Sequence, residues 1–558
     1  MTFFRAAIFS FLFCGSVYAQ GVELTSSNLP IVIINTEGQS IPMDNPRIIA
    51  DLQVIFDENG SRNNLTDTED HYNGKISIEI RGESSAGWDI KSYSFETKNE
   101  DGSNRNVSLL GLPEENDWIL HAPYYDRSLI RNALIYNLSR EMGWYASRTV
   151  YCEVILNDVY QGIYMLMEKI KRDKNRVDIA TLSPDEISGD DVTGGYILRV
   201  DKEGWNPGID SQYPPTENSN VTLRYQYYEP KGDEIVAEQE AYIQRFMYDF
   251  EDLMHDGNYF DPISGYSQYL DVDSFVDYMI LNELSRNVDG YRLSSYLYKQ
   301  KDSDGGKLVA GPVWDYNFSF GNAGYYESEA TNGWQLLYFT DNQSFLQNDS
   351  FHVPFWWKVL FSDGDFRKKL RERWSELREN TLSIDSLNAT IDQFAESLSE
   401  AQVRNFQVRP EPGATNLGGG WYPYDPRHEQ INSYEDEISV TKNWISDRID
   451  WIDENINLLT SNELDNTFGA PDSYSLEQNY PNPFNPSTII RFSLPSSSFV
   501  QIKVFNIHGQ LVQNLASKTY NSGNHQVEFN AENLSSGMYF YTLTTGTFSL
   551  TKKMLLVK

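Results

Sequence analysis

The chain has 558 residues and carries 45 Lys and Arg against 80 Asp and Glu, a formal net charge of −35. A surface this acidic repels the phosphates of nucleic acids and anionic lipid headgroups, so both are excluded as partners by charge, whereas divalent cations suit it. The length exceeds that at which one hydrophobic core stops growing, so two or more domains are expected.

At the N-terminus Arg5 precedes the apolar run Ala6 to Cys14 and then Val17-Tyr18-Ala19, an A-x-A-like cleavage site. Residues 1–19 are therefore expected to be a signal peptide, with the mature chain starting near Gln20. The run is too short to span a bilayer, and Phe13 stands where a lipoprotein signal through Cys14 needs a small residue. Cys152 then remains alone, which excludes a disulfide framework and a cysteine-based metal site. It lies in the apolar run Val150 to Leu156 and is expected to be buried. The 14% aromatic content fits core packing as well as carbohydrate-stacking platforms.

Strand signals begin at Leu29. Ile31 to Ile34 and Asp51 to Phe56 are β-branched or apolar runs, and Ile76, Ile78 and Ile80 alternate with polar neighbours. A glycine-bearing turn, Arg81 to Gly87, leads to a strand over Lys91–Thr97 with Tyr93 and Phe95 on one face. Such a turn could cover phosphates, but it has neither the P-loop pattern nor a G-x-S-x-G nucleophile elbow. A surface hairpin with ordinary charges is the plainer alternative. A helix is predicted over Asp126–Glu141, followed by strands over Arg148–Asn157 and Gln161–Lys169 joined at Asn157-Asp158, and by a strand over Tyr196–Asp201. Helical periodicity then takes over in Ile243 to Met254, Asp273 to Arg286, Phe366 to Leu377 and Glu429 to Ile456. The class is α+β, with a β-rich first part and a helical second part.

The most chemically suggestive stretch lies at their junction. Ser295–Gln300 and Lys307–Val313 read as a β-hairpin around the turn residues Asp302 to Gly306. Asp289 precedes it and Asp315 follows it, so the two carboxylates belong at one end of the sheet. Phosphoryl transfer needs such a pair, one acid for the attacking hydroxyl and one for Mg²⁺ against the nucleotide phosphates. Aspartates capping turns beside a hairpin would look the same, and the stretch alone leaves both readings open. Hydrolysis of carbohydrate by paired carboxylates is a weaker reading, because nothing fixes their separation. His121, His352 and His428 are isolated, without ligand spacing, and are expected to be structural.

Several segments together resemble the spore coat protein H (CotH) family of secreted atypical protein kinases. They are LPIVIINT (29–36), IRGESSAGWDIKSYSFETK (80–98), NDWILHAPYYDRSLIRNALIYNLSREMG (116–143), EVILNDVYQGIYMLMEKI (153–170), GGYILRVDK (194–202), NELSRNVDGYRLSSYLYK (282–299), GPVWDYNFSFGN (311–322) and PFWWKVLFSD (354–363). The resemblance implies a bilobal, atypical protein-kinase-like fold over residues 25–458, with a β-rich N-lobe and a helical C-lobe. It also implies Mg²⁺-dependent transfer (Mn²⁺ as an alternative) of the ATP γ-phosphate to Ser/Thr-type hydroxyls of a protein acceptor or of the chain itself. Asp289 then matches the catalytic-loop aspartate and Asp315 the metal-binding aspartate. Lys91 is the candidate phosphate-contacting lysine, with Arg81 and Glu168 as supporting nucleotide-binding groups. Two positions depart from the family pattern: Ser294 stands where a metal-binding Asn is expected, and Asn317 stands where an acid can stand. Both keep a neutral oxygen for the metal but offer less charge.

The C-terminus reads separately. Residues 459–475 are a polar linker. Residues 476–558 open with the proline-rich LEQNYPNPFNPSTIIRFSLP, which must be extended, and continue with strands near Ser498–Asn506, Gly523–Asn530 and Gly537–Thr544. This small all-β sandwich domain resembles the type A C-terminal sorting domain of the type IX secretion system. That implies passage through the periplasm and outer membrane to the cell surface or the medium. Two functional classes follow: a secreted kinase, or a surface structural or adhesion protein that keeps the fold without useful catalysis.

Overall fold

The computed structural model describes residues 22–409, 427, 430–460 and 474–558, apart from 44, 59, 61, 69–70, 83–84, 203–205, 217–218, 257–258, 262–263, 495–497, 521–522 and 547, together with the backbone of Val17–Ala19. Most of the expected signal peptide, Glu83 and Ser84, His428 and most of the linker lie outside the described residues. The chain divides into two compact units. One comprises Met1–Asp256, Ser267–Lys358 and Glu372–Ile452, and the other Gly257–Tyr266, Val359–Arg371 and Asp453–Lys558.

The first unit begins with a closed barrel of β1 (Ile31–Asn35), β2 (Ile48–Ile55), β3 (Tyr72–Arg81), β4 (Ser92–Lys98), β5 (Asp117–His121), β6 (Thr149–Leu156) and β7 (Val159–Glu168). Neighbouring strands are antiparallel except where β6 meets β1 in parallel, Glu153 opposite Ile31, and closes the barrel. Closure is driven by one interior: Ile34, Leu52, Ile76, Ile78, Phe95, Trp118, Leu120, Val154 and Leu166 share a single buried cluster. The β6–β7 hairpin turns at Asn157 and Asp158 with φ of 48° and 62°, the left-handed pair that a two-residue hairpin requires and that Asn and Asp tolerate. Cys152 is buried and free, and burial pushes its thiol up to about 12.

Between β5 and β6 lies helix α1 (Arg131–Glu141). It starts five residues later than the periodicity suggests, because Leu129 takes a left-handed backbone, φ 66°, that a helix cannot contain. The Asp126 carboxylate accepts hydrogen bonds from the backbone N–H groups of Ser128 (3.1 Å) and Arg131 (2.8 Å).

A five-stranded sheet follows, formed by β8 (Tyr196–Val200), β9 (Gly208–Asp210), β10 (Arg224–Glu229), β11 (Ser295–Lys299) and β12 (Leu308–Ala310), in the order β9-β10-β8-β11-β12. Between β10 and β11 the chain forms α2 (Ala237–His255) and α3 (Val272–Ser285). The return strand β12 is shorter than Lys307–Val313. Gly311 still donates to Tyr296 (2.8 Å), but Pro312 has no N–H to extend the ladder. Further helices follow, ending with Tyr434–Asn455. Buried ion pairs tie that last helix to α1 (Arg131–Glu437, 2.9 Å) and to α3 (Arg448–Glu283, 3.3 Å).

In the second unit, β13 (Ser475–Leu476), β14 (Ser487–Leu494) and β17 (Gly523–Asn530) form one sheet, and β15 (Ser498–Asn506), β16 (Leu511–Tyr520), β18 (Gly537–Thr545) and β19 (Phe548–Leu556) form another. Ile490 and Phe492 from the first and Val500, Ile502, Val504, Tyr541 and Leu543 from the second bury into one core. The arrangement is a small all-β sandwich.

Candidate functional site

The end of α3 and the two strands of the β11–β12 hairpin deliver the site. The loop 287–294 leads into β11, and the loop 311–322 leaves β12. Asn287 joins them. Its Oδ1 accepts from the Asp289 N–H (3.2 Å) and its Nδ2 donates to the Asp315 carbonyl (3.3 Å). A backbone hydrogen bond from Val288 to Phe318 (3.2 Å) makes a second tie. Asp289 and Asp315 are thus held at one end of the sheet by direct contacts between their loops.

Asp289 heads a turn in which its carbonyl accepts from Leu293 (2.9 Å). Its carboxylate lies 3.6 Å from Arg292, whose guanidinium also meets Asp349 (3.2 Å) and the Phe351 carbonyl (3.1 Å). Arg292 is itself buried against the rings of Tyr326, Phe339 and Phe345, which gives this cation a fixed seat.

Asp315 has φ of 63° and Ser294 φ of 49°. Left-handed backbone is uncommon away from glycine and persists where the surroundings enforce it, often at functional sites. Helix α1 supplies that enforcement at Asp315. The Tyr136 hydroxyl accepts from the Asp315 N–H (3.2 Å), and Asn132 Oδ1 accepts from the Tyr316 N–H (2.6 Å). From α3, Asn282 accepts from the Tyr316 hydroxyl (3.0 Å). Asn317, only 5% exposed, buries an Oδ1 with no hydrogen-bond partner among the described residues.

The electrostatics follow from this crowding. Burial, then the charges of Asp289 and Asp201, push the Asp315 carboxyl up to about 7, against the opposing pull of Lys202 and Arg81. Burial also raises Asp289 above the ordinary carboxyl value, while Arg292 and then Lys202 draw it back. Perturbed carboxyls cluster at functional sites, and these two partly buried acids, one acting on the other, form a candidate of that kind.

The remaining candidates separate. Arg81, at the end of β3, places its guanidinium 5.4 Å from the Trp314 ring centre, beside Asp315. Lys91 donates to the carbonyls of Ala86 (2.9 Å) and Trp88, closing its own loop. Glu168 is fully buried and paired with Arg148 (2.7 Å), with a further hydrogen bond from Tyr145 (3.3 Å). Neither Lys91 nor Glu168 is among the leading charges acting on Asp289 or Asp315. His121 is partly buried beside Asn132, and loss of solvation lowers it to about 4. His352 contacts the Asp349 carbonyl and Ser219. Asp201 and Lys202 also act on this pair; their only signal in the sequence is an acid and a base in succession where the predicted strand Tyr196–Asp201 ends.

Among the described residues no three His, Cys, Asp or Glu side chains converge to hold a metal ion by themselves. Mg²⁺ characteristically takes one or two carboxylates and completes its shell with water and substrate phosphates. Asp315, with the unpartnered buried oxygen of Asn317, offers a donor set of that kind.

Residues 78–452 match the family described as CotH kinase protein. The chain belongs to the CotH kinase protein family. Residues 478–558 match the secretion system C-terminal sorting domain, so this CotH-family protein carries a type IX export signal and is directed to the cell surface or beyond. No curated protein matches the chain. Among the described residues no helix is long and apolar enough to cross a membrane.

Proposed function

We propose that this CotH-family protein is a secreted atypical protein kinase that transfers the γ-phosphate of ATP to Ser/Thr-type hydroxyls of a surface or extracellular protein. In this reading the barrel forms the β-rich lobe and the helices from Ala237 onward the helical lobe of a kinase-like fold. The observation that carries it is the bridge at Asn287, which fixes Asp289 and Asp315 to each other from opposite ends of one hairpin.

Asp289 acts on the acceptor. It takes the hydroxyl proton as the hydroxyl oxygen bonds to the γ-phosphorus and the bond to the β-phosphate oxygen breaks, releasing ADP. Burial makes its carboxylate a better base than one in water, and Arg292 keeps enough of it ionised and holds it in place. Asp315 and Asn317, with Ser294 at the opposite loop, are the residues that would hold Mg²⁺. Bound there, the ion would neutralise charge on the β- and γ-phosphates. Arg81 adds positive charge beside Asp315.

Ser294 and Asn317 also favour a second reading, a surface protein that binds nucleotide without useful turnover, because neutral ligands hold Mg²⁺ less firmly. Incubating the full chain with γ-labelled ATP, Mg²⁺ or Mn²⁺ and a serine-rich acceptor separates the two. Label that appears with the wild type and is lost in both Asp289→Asn and Asp315→Asn supports the kinase. Metal-dependent ATP binding without transfer supports the scaffold.

A further inference from the structure

Asp315 feels two cations that come from different elements, Arg81 from the end of β3 and Lys202 from just beyond β8, and Lys202 acts on Asp289 as well. The position of Lys202 follows from register. Strand β8 pairs with β11 until Val200 stands opposite Ser295. Asp201 and Lys202 therefore leave the sheet where Ser294 enters it, at the end that carries Asp289 and the loop of Asp315.

This turn is held from behind. The buried Gln226 donates through Nε2 to the carbonyls of Lys202 (2.7 Å) and Asp201 (3.4 Å), and its Oε1 accepts from Arg199 Nη2 (2.6 Å). Asp201 Oδ1 accepts from the Lys202 N–H (2.9 Å), and Oδ2 lies 3.5 Å from Arg199 Nη1. The Asp201 carboxylate is engaged by its own turn and by Arg199, and the charge of Lys202 acts on both Asp289 and Asp315. A triphosphate entering beside two carboxylates needs compensating positive charge, and a lysine ammonium supplies it as a compact donor of charge-assisted hydrogen bonds.

We propose that Lys202 is the phosphate-contacting lysine of this site, binding the polyphosphate chain of a nucleoside triphosphate, with Asp201 and Gln226 as positioning residues. The proposal rests on the reading of the site as a nucleotide site. It moves the role expected of Lys91 to a residue on the neighbouring strand, and it leaves Lys91 as the clasp of the 85–90 loop.

Calorimetric titration of the full-length chain with ATP and with inorganic triphosphate, each with Mg²⁺, tests it without requiring turnover. Lys202→Met should bind both at least roughly tenfold more weakly than the wild type. Its melting temperature without ligand should stay within a few degrees, and Lys202→Arg should recover part of the affinity. Gln226→Leu should weaken binding in the same direction although Lys202 is intact. Wild-type affinity in Lys202→Met, or a loss confined to Lys91→Met, overturns the lysine assignment while wild-type binding leaves the nucleotide site standing. A wild-type chain that binds neither ligand overturns both.

Discussion

Asp289 raises the carboxyl of Asp315: after burial, its charge is the largest influence holding Asp315 at about 7. The ordinary value is 3.8, so between these two pH values the folded chain keeps a proton that the unfolded chain has released. Stability is then fully present at low pH and is lost as pH rises from about 4 toward 7. Asp315→Asn removes the titration, so the metal-free variant should be more stable than the wild type at pH 8 by about 1–3 kcal/mol, with the gap closing near pH 4. Urea melts at the two pH values measure this. Equal stability at pH 8 would show that Asp315 ionises freely and that the two acids are not crowded.

Asn287 contributes by geometry rather than charge. Asn287→Ala leaves the Asp289 N–H and the Asp315 carbonyl without this partner and loosens one loop against the other. Displacements of about 1 Å at reacting groups cost on the order of 100-fold in rate. Phosphate transfer should therefore fall by roughly 10- to 100-fold, while the melting temperature drops by only a few degrees. Steady-state kinetics beside a thermal melt separate the two effects.

Arg292 is buried, and its removal strands two acids, Asp289 and Asp349, near an aromatic cage. Arg292→Met should destabilise the fold by about 3–5 kcal/mol, as does breaking a buried pair. In variant that still folds, the acidic limb of the activity profile should move to higher pH, because Arg292 is the leading charge that draws Asp289 down. An unmoved limb would assign that limb to another group.

The neutral ligands predict a gain. Asn317→Asp restores an acid at the second position of the Asp315 loop and should tighten Mn²⁺ binding by several-fold, read by electron paramagnetic resonance. Without metal the same change adds a third negative charge near Asp289 and should lower stability at pH 8. Unchanged metal affinity would place Asn317 outside the metal site.

What was legible in the sequence was local. The Asn157-Asp158 turn, the alternating isoleucines of β3 and the C-terminal strands Ser498–Asn506 and Gly523–Asn530 each follow from neighbours a few residues apart. The meeting of Asp289 and Asp315 was legible because one hairpin connects them. Barrel closure was not, since it depends on a parallel pairing of Glu153 with Ile31 across more than a hundred residues. Nor was the engagement of Glu168 by Arg148 or of Lys91 by carbonyls of its own loop, because side-chain partners are fixed only when the loops fold back. Lys202 escaped for the same reason: its place beside the acids is set by the register of β8 on β11.

The central claim is phosphate transfer through the acid pair. Its most direct test is mass spectrometry of the full-length chain and a serine-rich acceptor after incubation with ATP and Mg²⁺ or Mn²⁺. The account predicts serine or threonine residues that gain one phosphate with the wild type and none with Asp289→Asn or Asp315→Asn. Phosphorylation that persists in both variants, or its absence from a wild-type chain that binds ATP and metal, would contradict it.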